Sequence, residues 1–372
     1  MPVIHRPRYG RKLDDFIRGD VYDHPWEMTI DDGMLSIWQA SFLDANPLYT
    51  STPYAQALGF KGRVVPPAMV LNLGLSFSVH DVSQQAIAHL AYIDVRFPRP
   101  LYSGDTFRAF SQVLGVKVSA GDPTRGTVHV RTIGVNQHGD AVLSFERKAL
   151  IRAGRVEGRP ATPIRSLGET EEQRFTNLPF APGNVNSGSA SAGTIGQPFF
   201  FEDLREGDIF VHDAGRTVGE SEHMTLSCLV RNTHPLHWDH GYCLENSFKK
   251  ERIVYGGLVL TWTLANASWD IGGNVIWELG LDDGAHPSPV LAGDTIYSAS
   301  QIVSAKATSP YAGEVRVRTV GVKNVHPEVL VARHEQFFVP ERDKKDAAHK
   351  VLEKVVEITR DVLVRRRVGG ES

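Results

Sequence analysis

Between Arg231 and Asp239 the chain sets an amide, two imidazoles and a carboxylate around one proline: Asn232, His234, Pro235, His237 and Asp239. Proline lacks an N–H and clashes with a preceding helical turn, so these polar groups must sit on a loop, where sites are usually built. An imidazole, with an ordinary pKa of ~6.5, can take a proton and return it near neutral pH. A second stretch follows, Arg252-Ile253-Val254-Tyr255-Gly256-Gly257-Leu258, a glycine turn opening an apolar helix. The first N–H groups of a helix have no partner within it, which makes them ready donors to a developing anion. A base on a loop beside such donors suits addition to a polarised carbonyl compound. The residues alone equally fit a polar turn ahead of a core helix.

The elements that must position these groups come in two copies. Asp15 to Tyr22 returns as Asp203 to Phe210, with Gly19, Asp20 and His24 matching Gly207, Asp208 and His212 at an offset of 188. The same offset lays Asn46-Pro47-Leu48-Tyr49 on His234-Pro235-Leu236-His237. Tyr102 to Thr106 returns as Leu291 to Thr295, and Arg131 to Val135 as Arg318 to Val322. Each copy then holds an opening extended segment, the Pro-Leu loop and an apolar helix (68–79 and 258–269). Strands with period-two alternation follow, 126–135 and 141–151 in the first copy, 314–322 and 329–339 in the second. The expected class is α+β, with a sheet of antiparallel strands wrapped around a long helix, twice. The first copy is placed at 1–155, a Pro- and Ser-rich surface linker at 156–197, the second copy at 198–340 and an amphipathic helical tail at 341–372. The tail's basic end, Arg365-Arg366-Arg367, reads as a solvated terminus.

Composition narrows the classes of function. A net charge of −3 gives no reason to expect nucleic acid or an anionic membrane as the main partner. The two cysteines, Cys228 and Cys243, argue against a disulfide framework. No apolar run nears the ~20 residues of a membrane helix, and Met1–Gly10 has no apolar signal core. A cytoplasmic location is expected.

The repeat, the Asn-Pro-Leu and Asn-Thr-His-Pro-Leu-His loops, the Ile-Val-Tyr-Gly-Gly turn and the Gly-Asp-Thr strand openers together resemble the MaoC-like (R)-specific enoyl-CoA hydratases. Within them the chain looks most like the mesaconyl-CoA hydratases, or β-methylmalyl-CoA dehydratases, through Asp81–Tyr92, Tyr102–Thr106, Val135–Gln137 and Arg231–Thr233 ending in His237. The resemblance implies a double hot-dog fold and a hydro-lyase that works on an acyl-CoA with no cofactor of its own. His237 falls on the family's catalytic histidine and Gly256 on its oxyanion-donor glycine, whereas Asn232 stands where the family has aspartate. The first copy keeps Asp44 but has Tyr49 for the histidine and Pro66-Pro67 for the glycine turn, and proline has no N–H to give. One working site, in the second copy, is expected, with the first copy forming part of the acyl-CoA groove.

An amide cannot take a proton from water, so either His237 works alone or a carboxylate assists it. Asp239 and Asp44 are the candidates, although Asp239 is also placed to cap a helix. Tyr255, Gly257 and Trp238 are read as groove walls, and His234 as a loop-positioning or substrate-touching group. His234, His237, Asp239 and His240 superficially suggest a metal loop, but their spacing is one residue longer than that of the metallo-β-lactamase-like hydrolases, and no metal is expected. The alternatives are a hot-dog thioesterase, against which the Asn-Thr-x-x-x-His and Tyr-Gly-Gly pair argues, and a non-catalytic acyl-CoA-binding protein. Each chain supplies both members of a hot-dog pair, and further association into a homo-oligomer is expected.

Overall fold

The structure is a computed structural model that describes residues 2–5, 8–158, 164–178 and 199–367. In the first copy the elements are β1 (Val21–Thr29), α1 (Asp32–Phe42), α2 (Thr52–Ala57), α3 (Pro67–Ser78), β2 (Ala86–Arg96), β3 (Thr106–Ser119), β4 (Asp122–Val135) and β5 (Ala141–Arg152). A short β6 (Ile164–Arg165) and α4 (Glu169–Thr176) follow. The second copy has β7 (Ile209–Thr217), α5 (Glu220–Leu229), α6 (His240–Asn246), α7 (Gly256–Ile271), β8 (Val275–Ala285), β9 (Thr295–Ala307), β10 (Ala312–Lys323), α8 (Pro327–Arg333) and β11 (Lys354–Arg365).

All strands join one sheet in the order β6-β1-β3-β4-β5-β2-β8-β11-β10-β9-β7. The two halves mirror each other across the antiparallel β2–β8 seam, where Tyr92 pairs with Gly284 and Val95 with Leu281. The sheet curls around α3 and α7, which are buried on nearly every side because their sequences are apolar nearly all round. Several of their polar side chains bond within the helix pair, while Asn72 Oδ1 has no partner among the described residues. Thr261 and Thr263 donate to the carbonyls of Gly257 and Val259 one turn back, and Asn72 of α3 donates to the Gly257 carbonyl of α7 at 3.1 Å. A Cβ on Gly257 would lie 2.2 Å from Asn72 Oδ1, so the residue is glycine for the sake of this helix–helix approach.

The matching His24 and His212 are clamps between each helix's end and its sheet. His24 donates from Nδ1 to Asp81 (3.0 Å) and its Nε2 meets Ser111 Oγ (2.8 Å). His212 does the same with Asp270 (2.6 Å) and Ser300 (2.9 Å).

Three expectations are corrected. Residues 329–339 are not a strand: Pro327 opens α8 there. Residues 341–372 are not a helical tail, because 354–365 form β11, the last strand of the second copy, between β8 and β10. Its Val, Ile and Thr content favours the strand. The cause of both errors is an insertion. The first copy turns directly from β4 to β5, while the second carries residues 324–353 at that place. The second copy therefore extends beyond 340. Arg366 and Arg367 are not merely solvated either, since they pair with Glu202 and Asp203 at the start of the second copy. In the expected linker, β6 adds to the edge of β1 and Phe175 of α4 packs on Phe110. Pro160, Pro163, Pro179, Pro182 and the run 184–191 lie outside the described residues.

Candidate active site

Gly256 is the first residue of α7, and its N–H and that of Gly257 donate to no protein group among the described residues. The preceding loop wraps this helix start. Pro235–His237 form one 3-10 turn, closed by His234 Nδ1, which accepts the Leu236 N–H at 3.2 Å. The twin loop is closed in the same way by Asn46, so His234 does the work of an asparagine cap. With Nδ1 used as acceptor, the His234 proton sits on Nε2. Burial lowers its pKa to about 4, which keeps the ring neutral.

His237 is held the other way round. Its Nδ1–H donates to the Ile253 carbonyl at 2.8 Å, which fixes the tautomer and leaves an unprotonated Nε2. Burial, with His234 beside it, lowers the pKa to about 3. The part of the ring left accessible belongs to the wall of a cavity of about 670 Å³. Asn232, Tyr255, Gly256 and Leu236 line that cavity from the second copy, and Ala86–His89, Tyr92 and Arg147 line it from the first. Asn232 Oδ1 accepts the His234 N–H at 3.0 Å, so its NH₂ points away. Burial raises the Tyr255 pKa, so its hydroxyl stays protonated. His286 packs on the helix start, where a Cβ on Gly256 would come within 2.8 Å of its Nε2. Its Nδ1–H donates to the Val355 carbonyl (3.1 Å) and its Nε2 accepts a hydrogen bond from the Tyr92 hydroxyl (3.0 Å). Burial lowers the His286 pKa to about 4.

The cavity thus brings together His237, Asn232, Gly256, Tyr255 and His234. It does not include the other four residues expected from sequence. Asp239 caps α6 by accepting the Tyr242 N–H at 2.9 Å, the role its position before a helix allows. Trp238 is exposed and donates its indole N–H to the Asn232 carbonyl, bracing the loop from outside. Gly257 serves helix packing. Asp44 lines a separate cavity with Tyr49, Pro66 and Pro67, where burial raises its pKa to about 6. That second cavity has Pro67 at the position of Gly256, so the donor is absent there.

Tyr92, Arg147, His89 and His286 were not singled out from sequence. For Arg147 a signal existed: it falls in phase with Leu143, Phe145, Ala149 and Ile151, the buried face of β5. A charge at an inward position of an alternating strand is rarely idle. Among the described residues no three His, Cys, Asp or Glu side chains converge as metal ligands.

A family model described as mesaconyl-CoA hydratase matches residues 5–179 and 185–356. The mesaconyl-CoA hydratase of Cereibacter sphaeroides is 31% identical over 88% of this chain and 93% of its own length. The β-methylmalyl-CoA dehydratase of Chloroflexus aurantiacus is 30% identical over 85% of this chain and 89% of its own. Among solved structures, a MaoC domain protein dehydratase of Chloroflexus aurantiacus superposes with a TM-score of 0.78 at 26% identity, over 99% of this chain and 100% of that one. A Mycobacterium tuberculosis protein with a double hot-dog fold gives 0.73 at 21% identity, over 97% and 99%, and shares the fold.

Proposed function

The chain belongs to the mesaconyl-CoA hydratase family, and from that membership we propose that it reversibly hydrates a 2,3-enoyl-CoA thioester, with mesaconyl-CoA and β-methylmalyl-CoA as the substrate pair. The observation that carries this reading is one cavity wall holding both an imidazole with a free Nε2 and an unpaired helix-start N–H. In the hydration direction His237 Nε2 takes a proton from water as the water oxygen bonds to C3. The electron pair of the double bond moves toward the thioester oxygen, where the Gly256 N–H meets the growing charge without reorganising. A proton then returns to C2 from the imidazolium. The NH₂ of Asn232 holds the water oxygen and takes no proton. Burial makes a lasting imidazolium costly at His237, so its proton gain must be matched in time by negative charge forming close by.

The groups that move protons and hold charge all belong to the chain, so we propose that no metal or organic cofactor takes part, and that turnover survives a chelator. One chain supplies both walls of the site, and we propose that association into a homo-oligomer is added to, not required for, that site. The direct test mixes the purified chain with mesaconyl-CoA in D₂O. Loss of the enoyl-thioester absorbance with one deuterium at C2 of β-methylmalyl-CoA is the expected result. Release of free CoA would instead favour a thioesterase, and binding without turnover an acyl-CoA-binding protein.

A further inference from the structure

Arg147 is 3% exposed and lines the active-site cavity. Among the described residues its guanidinium donates only to two hydroxyls, Ser78 Oγ at 2.8 Å and Ser83 Oγ at 3.2 and 3.3 Å, and its Nε–H has no partner. Among the described residues no carboxylate lies within 4 Å of it. A buried cation without a counter-charge is costly to keep.

The twin shows what such an arginine looks like when it is satisfied. On β5, Arg147 stands between Tyr92 and Val130, and on β11, Arg360 stands between Leu281 and Val317, the same places in the two copies. Arg360 grips Glu278 with two bonds, of 2.5 and 3.1 Å. Strand register puts His89 at the position of Glu278, since His89 pairs with Ala149 on β5 and Glu278 with Val362 on β11, each two residues past its arginine. His89 offers no anion, and its Nε2 is itself unpartnered. Where the twin carries its own carboxylate, the working cavity has none.

We propose that Arg147, held by Ser78 and Ser83, binds a carboxylate carried by the acyl group, so that the site selects enoyl-CoA thioesters of dicarboxylic acids over plain enoyl-CoAs. This rests on the hydratase reading for its chemistry, though not for its binding. The Arg147 pKa, lowered by burial to about 10, leaves it charged at neutral pH.

The test compares mesaconyl-CoA with 2-methylcrotonyl-CoA, in which a methyl replaces the carboxylate. The wild type should prefer mesaconyl-CoA by roughly 10²–10³ in kcat/KM, and Arg147→Leu should lose that preference, as loss of a buried charge partner implies. His89→Glu installs the twin's pair. It should weaken the binding of mesaconyl-CoA but not that of free CoA, and it serves if Arg147→Leu does not fold. Binding of mesaconyl-CoA and of free CoA is measured in a His237→Ala background with and without Arg147→Leu. Only the mesaconyl-CoA affinity should fall. Equal weakening of both would mean that Arg147 holds a CoA phosphate and would overturn the proposal, as would a wild type indifferent to the carboxylate. Arg147-dependent binding with no turnover in the wild type would leave this proposal standing and sink the hydratase reading.

Discussion

At the scale of single residues, the site depends on which atom of each side chain is already committed. His234 and His237 are three residues apart, yet backbone bonds to Nδ1 make one ring a structural strut and leave the other with an unprotonated Nε2. Gly256 can be tested by giving it the twin's residue. Gly256→Pro removes the N–H at a position where Tyr255 has φ −59° and ψ 125°, values that suit a residue before proline. Gly256→Ala brings a comparable Cβ against His286 but keeps the N–H. The proline variant should be slower than the alanine variant by roughly 10²–10³ in kcat, the usual worth of an oxyanion donor, and equal rates would remove Gly256 from that role. Asn232→Asp tests the amide. Asp44, bonded to its loop as Asn232 is, has a pKa raised by burial to about 6. The variant should import an ionisation near that pH into the kcat/KM profile, where the native enzyme should show no limb because the His237 pKa is lowered to about 3. Acid–base roles at Asp239 were legible as a hypothesis from spacing alone. Only the Tyr242 N–H, seen in three dimensions, shows that the carboxylate is already used.

At the scale of elements, the repeat made most of the fold readable. Two apolar helices and three of the four expected strands follow from hydrophobic period and turn residues, and the structure places those much as expected. The register was lost after β10, where the second copy inserts α8 and a buried charge cluster before its last strand. There Lys354 reaches both Glu341 (2.9 Å) and Glu357 (3.2 Å). A short apolar run is ambiguous between helix and strand by periodicity alone, and the repeat pointed to a strand where Pro327 opens a helix. The helix–sheet clamps were visible as a repeated histidine, but their partners lie 57 and 58 residues away and belong to folded geometry. The two clamps also differ in cost. The Asp81 side chain is 2% exposed and pairs with Arg11 as well, while that of Asp270 is 40% exposed. Asp81→Ala should therefore destabilise the fold by about 3–5 kcal/mol in denaturant titration, as breaking a buried ion pair does. Asp270→Ala should cost clearly less, and the reverse order would contradict the clamp account.

At the scale of the whole molecule, the continuous sheet explains why one chain needs both copies for one site. The β2–β8 seam lets the first copy's strands wall a cavity that His237, Asn232 and Gly256 line from the second. The buried histidines around that cavity also set acid stability. Unfolded histidine takes up a proton below pH ~6.5, whereas buried His234 resists until about pH 4. Its contribution is complete above pH 6.5 and is lost at roughly 1.4 kcal/mol per pH unit as pH falls toward 4. His237 and His286, whose pKa values are lowered to about 3 and about 4, push in the same direction. Unfolding free energy should thus drop between pH 6.5 and 4.5, and His234→Asn, which keeps the twin's cap chemistry, should flatten that drop.

The central claim is that the His237 imidazole moves the proton in this cavity. The most direct measurement is kcat for mesaconyl-CoA hydration by His237→Ala beside its thermal unfolding midpoint. A loss of roughly 10²–10⁴ in kcat at an unchanged midpoint is expected for a general acid–base group, and near wild-type turnover in a folded variant would contradict the account.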